Sequence, residues 1–443
     1  MKNFKDSGIE WLGEIPEHWE VVKIKFLAIF YTGDSIKDSE KHKYCFLNNS
    51  IPYISTKDIN INTNVIDYNN GMFIEKNDAN FKRAYKNSIL LCLEGANAGK
   101  KIAFLYKEVC FVNKLCCISS KTEKLNSKFL FYFLQSVFFK NAFIANIRGL
   151  IGGITTDQLG NFYILFPPLK EQEQIANFLD EKCEKIKNFI EKKEKLINLL
   201  KEQKQALINE TITKGLDKNV NFKDSGIEWL GEIPQHWEVV RLGLILKTGS
   251  GTTPDSGNDK YYKEGKIAWI NSGDLNDGFL KDSKRKITQD ALYDYPTLRI
   301  FDKNSLIIAM YGATIGKTAI LKINACVNQA CCVLEKSLWY NNFYLFFWFN
   351  GYKKELISMG SGGGQPNISQ DIIKNLKIPL PPLKEQEQIA NFLDEKCGKI
   401  DLLIEKTEKQ IKLIKEYKTT LINQAVYGRI NLQKRENNED YSS

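Results

Sequence analysis

The sequence predicts an α/β protein in which two globular inserts are joined by two long helices that pair as an antiparallel coiled coil, the whole forming an internal pseudo-two-fold repeat. Three observations predict it. The run PPLKEQEQIANFLDEKC stands at Pro167–Cys183 and again, unchanged, at Pro381–Cys397. A second phrase, FKDSGIEWLGEIP, occupies Phe4–Pro16 and Phe222–Pro234, and HWEVV follows in both after Glu17 in one copy and Gln235 in the other. After each PPLKEQEQ run the apolar residues recur at alternating steps of four and three, the spacing of a coiled-coil seam. Between these anchors the two copies diverge, so the frame is constant and the inserts are not.

The bulk properties set the bounds. A chain of 443 residues with 43% hydrophobic residues can bury two or three cores. The net charge of +9 suits a polyanionic partner without requiring one. Arginine is scarce (Arg83, Arg148, Arg241, Arg285, Arg299, Arg429 and Arg435), so lysine must supply phosphate contacts, and Asn, Gln, Ser, Thr and Lys much of any base reading. No apolar run reaches the ~20 residues of a membrane span, and Phe129–Ile147, the nearest, is interrupted by Lys140. No secretory leader is expected ahead of the phrase that begins at Phe4, and the ten cysteines form no C-x-x-C pair. Reduced, buried thiols and a cytoplasmic location are expected.

In chain order, residues 1–166 comprise an arm and the first insert. Gly8, Gly13 and Pro16 break the arm into turns, and Trp19 offers an apolar anchor, with His18 beside it as a packing or capping residue. Within the insert, strands are predicted at Tyr53–Ser55, Ile89–Leu93, Ile102–Tyr106 and Val109–Ser119, then a helix over Phe129–Ile147 and the glycine-rich loop 148–156. Residues 167–215 form the first long helix, opened by Pro167-Pro168 and stopped at Gly215; from Lys170 to Thr213 it spans about 66 Å. Its seam is Leu179, Cys183, Ile186, Ile190, Lys193, Ile197, Leu200, Lys204 and Leu207, with the two lysines as weak points.

Residues 216–380 repeat the arm and insert, with strands predicted at Ile267–Ile270, Leu306–Met310, Thr318–Leu321 and Ala325–Leu334 and an aromatic helix at Tyr340–Phe349. Residues 381–430 form the second long helix, with its seam at Leu393, Cys397, Ile400, Ile404, Thr407, Ile411, Ile414, Lys418 and Leu421. The polar tail 431–443 is predicted to be disordered. The inserts share a weaker pattern: Gly95–Lys100 matches Gly312–Lys317, and Asn113–Cys117 is aligned with Asn328–Cys332. One fold with two surfaces is expected.

Most catalytic chemistry is absent from the sequence. Gly312-x-x-x-Gly316-Lys317-Thr318 is one residue short of a P-loop and leads into a predicted strand instead of a helix. Asp255, Glu264 and Lys266 mimic a metal-dependent nuclease set, without a counterpart in the first insert. There is no G-x-S-x-G, no H-E-x-x-H, no metal-spaced Cys/His set, and both Pro-Pro pairs continue with Leu where amino-methyltransferases need an aromatic residue.

Two divergent inserts on a duplicated spacer make a two-site reader, and the chain resembles the specificity subunits of type I restriction–modification systems. The residues that carry the resemblance are the two PPLKEQEQIANFLDEKC runs, the two GIEWLGEIP phrases, the G-x-x-x-G-K loops and the Asn-[Lys/Gln]-x-Cys-Cys strands. The resemblance implies that the inserts are target recognition domains and the helices the conserved spacer. It implies a bipartite DNA target with an unspecified gap, read by a subunit that is not itself catalytic. The implied partners are double-stranded DNA, two modification subunits that methylate adenine with S-adenosylmethionine, and restriction subunits that use ATP and Mg²⁺; no cofactor is expected in this chain and no membrane is implied.

Candidate DNA contacts lie on the loops that both inserts share: Lys100, Lys101, Lys114, Arg148, Thr155 and Thr156 in the first, Lys317, Thr318, Gln329, Gln365 and Asn367 in the second. The plainer reading is that these segments are turns and buried strands of the fold. The divergent loops Ser250–Asp259 and Asn271–Lys286 are alternative readers. Two other functions compete: a coiled-coil scaffold that binds no DNA, and a nuclease built on Asp255, Glu264 and Lys266.

Overall fold

The structure is a computed structural model that describes residues 3–9, 13–45, 48–148, 152–360, 367–430 and 432. It divides into two units, residues 1–194 with 409–443, and residues 195–408. Each unit holds one arm, one insert, and part of each long helix.

The long helices run from Leu169 to Lys214 and from Leu383 to Val426. Each starts behind a Pro-Pro pair, with Glu171 or Glu385 in the first turn, where the positive end of the helix dipole favours a carboxylate. Each ends on a glycine in the left-handed region, Gly215 at φ +73° and Gly428 at φ +69°. A Cβ on Gly215 would lie 3.2 Å from Trp237, and one on Gly428 2.9 Å from Trp19. The same small residue thus lets each helix end close on an arm tryptophan.

Within the first unit, Leu179 and Ile186 of the first helix share a core with Leu421 and Ile422 of the second, flanked by Cys183, Ile190 and Ile414. Within the second unit, Leu393 and Cys397 share a core with Leu207 and Ile208. The early part of one helix meets the late part of the other in both units, so the pairing is antiparallel. Every predicted seam position is buried or half-buried, including Ile197, Leu200, Ile400, Ile404 and Ile411. Past Leu207 and Leu421 the buried residues depart from the seam, to Ile208 and Ile212, and to Ile422, Ala425 and Val426. There the helices also share cores with the arms and inserts.

The identical frame letters make identical bonds. His18 Nε2 lies 2.5 Å and His236 Nε2 2.9 Å from the first-turn carboxylate, and the Trp19 and Trp237 indoles donate to it at 3.2 and 3.1 Å. The next residue is a fully buried glutamine. Gln172 Oε1 accepts from Asn126 N at 2.8 Å while its Nε2 donates to Pro167 O and Lys124 O. Gln386 does the same with Asn341 N, Pro381 O and Trp339 O. Asn126 and Asn341 in turn cap the helices that begin at Ser127 and Asn342. One short phrase therefore ties each arm and each insert to a long helix.

The first insert has two four-stranded sheets. One runs Ala28–Thr32, Leu115–Ser120, Ile89–Cys92 and Ile102–Phe104, all antiparallel. Alternation sends Ile89, Leu91, Ile102 and Cys116 toward the helical core of Phe129, Phe133, Phe139 and Phe143, and Leu90, Cys92, Ala103 and Cys117 toward Ile54 and Phe111 on the other face. The second sheet orders Phe73–Glu75, Ser50–Ile54, Val109–Phe111 and Arg83–Ala84, with its central pair parallel. The second insert repeats this as Thr248–Gly249, Cys331–Leu334, Leu306–Ala309, Thr318–Leu321 and an added Gly278–Leu280, beside Arg285–Ile287, Ile267–Ile270 and Cys326–Val327. Again the pair Ile267–Ile270 and Cys326–Val327 is parallel. The two sheets approach closely at Gly33 and Gly251, where a Cβ would sit 1.8 Å from the carbonyl oxygen of Phe111 or Val327.

Three expectations need correction. Val109–Ser119 and Ala325–Leu334 are each two strands in different sheets, because a turn at 112–114 or 328–330 carries the chain from one sheet to the other. The span Phe129–Ile147 breaks at Gln135-Ser136, where Ser136 Oγ caps a second helix. The Cys-Cys alignment slips by one residue: Cys116 lies opposite Leu91 and Cys332 opposite Ile308, and Leu91 and Ile308 hold equivalent positions ahead of Gly95 and Gly312. Asn113 therefore corresponds to Gln329, and Lys114 to the buried Ala330. Most of the tail 431–443 lies outside the described residues.

Burial raises the thiols of Cys110 and Cys332 to about 12 and those of Cys326 and Cys397 to about 11, so all four stay protonated near pH 8. Cys45 is the exposed cysteine. Titration of the native chain with an aromatic disulfide at pH 8 is expected to show one fast thiol, abolished by Cys45→Ser, and ten after unfolding. Gln386→Ala strands Asn341 N and two carbonyls and is expected to lower stability by about 1–3 kcal/mol, read by urea unfolding.

Candidate nucleic-acid interface

The shared G-x-x-x-G-K segments are tight turns between antiparallel strands. In the first insert Ala98 N donates to Gly95 O at 2.9 Å, Lys100 N to Asn97 O at 3.0 Å and Gly99 N to Cys92 O at 2.8 Å. In the second, Ile315 N donates to Gly312 O at 3.1 Å, Lys317 N to Thr314 O at 2.9 Å and Gly316 N to Ala309 O at 2.9 Å. Both glycines of each turn have positive φ. A Cβ on the second glycine would meet Phe143 at 2.6 Å or Ile357 at 3.1 Å, so this position needs glycine both for its φ and for the helix against it. Thr318–Leu321 follows as a strand, so the segment lacks the helix N-terminus by which a P-loop holds phosphate.

One backbone position in each insert gathers three of the shared loops. Leu93 N donates to Lys114 O at 3.0 Å, Leu93 O accepts from Ile154 N at 3.1 Å, and Gly95 N donates to Gly152 O at 2.8 Å. Met310 N donates to Ala330 O and Met310 O accepts from Ile368 N, both at 2.8 Å, and Tyr311 bridges Asn367. The G-x-x-x-G-K turn, the inter-sheet turn and the late loop thus meet along one edge of each insert. That edge also receives the loops that follow the parallel strands. Val112 N donates to Ile54 O and Asn328 N to Ile270 O, and Ser55 and Asn271 each open a capping box with Asp58 or Asp274. Such carboxyl-end edges are the common place for ligands in sheets with parallel strands.

The candidate side chains occupy this edge unequally. Lys100, Lys114 and Arg148 are exposed. Lys101 is half-buried, and its Nζ donates to Thr56 O at 2.6 Å. Thr155 caps a short helix by accepting from Gln158 N, and Thr156 is that helix's first residue. In the second insert Gln329 and Asn367 are exposed and Lys317 is half-buried. Thr318 must be withdrawn: it is 0% exposed, its N–H donates to Asp277 Oδ1 at 2.9 Å, and its hydroxyl accepts from Asn350 Nδ2 at 3.0 Å. Its strand position turns it inward. Gln365 and residues 149–151 lie outside the described residues.

The capping turns 55–58 and 271–274 and the Thr32-Gly33 and Ser250-Gly251 corners complete the edge; those of the second insert lie in the loops Ser250–Asp259 and Asn271–Lys286, and those of the first are additions to the sequence-based candidates. Their signal, a Ser/Asn-x-x-Asp box after an apolar strand and a small hydroxyl residue before glycine, is present in both copies. Asp255 of the nuclease reading accepts from Gly257 N in a local turn, and Glu264 sits at φ +59°. Among the described residues no group of His, Cys, Asp and Glu is arranged to hold a metal ion. Among the same residues no helix is long and apolar enough to cross a membrane.

A constant frame that presents two unlike loop edges defines a DNA-recognition subunit. The family model for the type I restriction modification DNA specificity domain matches residues 16–209 and again 234–413, and the chain belongs to that family. It is similar to the type I restriction enzyme MjaVIII specificity subunit of Methanocaldococcus jannaschii, 28% identical over 455 residues that cover 98% of this chain and 97% of that one. Two solved structures share its fold at 18% identity. One, from work on complex assembly and conformational transition of the type I R-M system, has a TM-score of 0.74 and covers 94% of this chain and 99% of its own. The other, the HsdS subunit of Thermoanaerobacter tengcongensis, has a TM-score of 0.53 and covers 94% and 98%.

As candidate phosphate contacts, Lys100 and Lys114 are expected to act alike on all DNA sequences. Each Lys→Ala change should flatten the dependence of log K on log salt by about 0.9. Thr318→Ala should leave that slope alone and lower stability. Fluorescence anisotropy on labelled duplexes across a salt series separates the two outcomes.

Proposed function

We propose that this subunit reads a bipartite, asymmetric DNA target, one insert to each half-site, while the long helices hold two modification subunits and the restriction subunits. S-adenosylmethionine, ATP and Mg²⁺ act in those partners, and the complex works on DNA in the cytoplasm. The observation that carries the reading is the convergence of the shared loops at Leu93 in one insert and Met310 in the other. The frame bonds are the same in both copies, whereas the edges differ. The first presents Lys100, Asn113, Lys114 and Arg148, and the second Gln329 and Asn367. A polyanion read twice by one scaffold explains both facts, since cations set phosphate register and amides read base edges. A scaffold for proteins alone gives no reason for glycine-built turns that bring cationic and amide side chains to one edge.

The test is to co-express the chain with the modification subunits of its host and map methylated adenines by single-molecule sequencing. The expected result is a motif with two unlike halves and a fixed gap, of which one half changes when one insert is exchanged. A stable complex that leaves DNA unmethylated and binds it without sequence preference would favour the scaffold.

A further inference from the structure

Gln329 stands exposed at the tip of the inter-sheet turn in the second insert, yet it is held in place. Its backbone is fixed by neighbours on both sides: Asn328 N donates to Ile270 O at 3.0 Å, and Asn328 Oδ1 accepts from Ala330 N at 3.2 Å. Ser250 Oγ, on the crossing strand, donates to Cys331 O at 2.9 Å and reaches Gln329 O at 3.4 Å. The side chain is fixed too, because Thr253 Oγ1 donates to Gln329 Oε1 at 2.7 Å. An exposed glutamine ordinarily keeps wide rotamer freedom. Gln329 is exposed and Thr253 half-buried, so the bond fixes the orientation of an amide that stands at the surface.

That orientation has chemical content. An amide oxygen has two lone pairs, and Thr253 takes one of them. What remains is one acceptor beside two N–H donors, the pattern complementary to adenine, which offers N7 as acceptor and N6–H as donor in the major groove. We infer that Gln329 reads an adenine in the half-site of the second insert and that Thr253 is its positioning residue. This rests on the reading that the loop edge faces DNA. In the first insert the equivalent positions are Ser35 and Asn113, set by the paired Gly33 and Gly251 and by the strand register. Both pairs set a hydroxyl near an amide, and the second differs in its longer side chain and in the Thr253–Gln329 bond that fixes it.

The experiment uses the full chain in complex with its modification subunits and reads the methylated motif of each variant. Gln329→Ala is expected to make one adenine position of one half-site degenerate, with preference there falling roughly 5- to 150-fold, and to leave the other half intact. Gln329→Glu should move that position toward cytosine, whose N4 amine needs an acceptor. Thr253→Val should weaken preference at the same position alone, and Thr253→Ser should restore it. A wild-type motif for both Gln329→Ala and Thr253→Val would overturn the inference while leaving the two-half-site reading standing. A wild-type complex that methylates no bipartite motif would overturn both.

Discussion

Each half of this protein hangs on the first turn of a long helix. There a carboxylate, Glu171 or Glu385, holds the His-Trp pair of an arm, and the following glutamine, buried without exposure, holds the cap of an insert helix. Hydrogen bonds to a charged acceptor contribute about 1.5–3 kcal/mol, and a buried amide left without partners costs about 1–3 kcal/mol. The four groups therefore constrain one another closely. A change at Glu171 or Glu385 would loosen an arm and one at Gln172 or Gln386 an insert, which gives a physical reason for these letters to be the same in both copies.

The inserts are released from that constraint. They must keep a glycine where Gly33 and Gly251 cross the neighbouring sheet, and glycines in the turns that face Phe143 and Ile357. They must also keep apolar residues on both faces of the central antiparallel sheet. The shared loops meet through backbone bonds at Leu93 and Met310, which place no demand on side-chain identity there, while side chains such as Asn328 and Ser250 add local support at one tip. A scaffold fixed by main-chain bonds with free side chains at its edge can change what it recognises without changing its fold.

The coiled-coil seam shows the same economy of specification. Two of its polar residues, Lys204 and Thr407, have partners within their own unit. Lys204 Nζ is 2.7 Å from both oxygens of Asp401, and Thr407 Oγ1 donates to Leu403 O at 2.7 Å. A half-exposed pair such as Lys204–Asp401 adds about 0–1 kcal/mol. Its effect is on register, because a polar group in a seam penalises every alignment that leaves it without a partner.

The duplication, both long helices with their seams, the stop of the first at Gly215, the family, and the existence of loops common to both inserts are legible in the letters alone. Those are features of local spacing and literal repetition, and they survive without knowledge of contacts. Tertiary structure alone decided what depends on strand register and burial. Val109–Ser119 reads as one strand because both of its halves are buried on both faces and show no alternation, so the polar pair Asn113-Lys114 is the one mark of the turn that sends it into a second sheet. The same blindness shifted the Cys-Cys alignment by one residue, which in a strand exchanges the two faces. Thr318 opens a predicted strand beside Lys317, and only the strand's register shows that its side chain turns into the core. The pairing of Thr253 with Gln329, far apart in the chain, exists only because two sheets cross at Gly251.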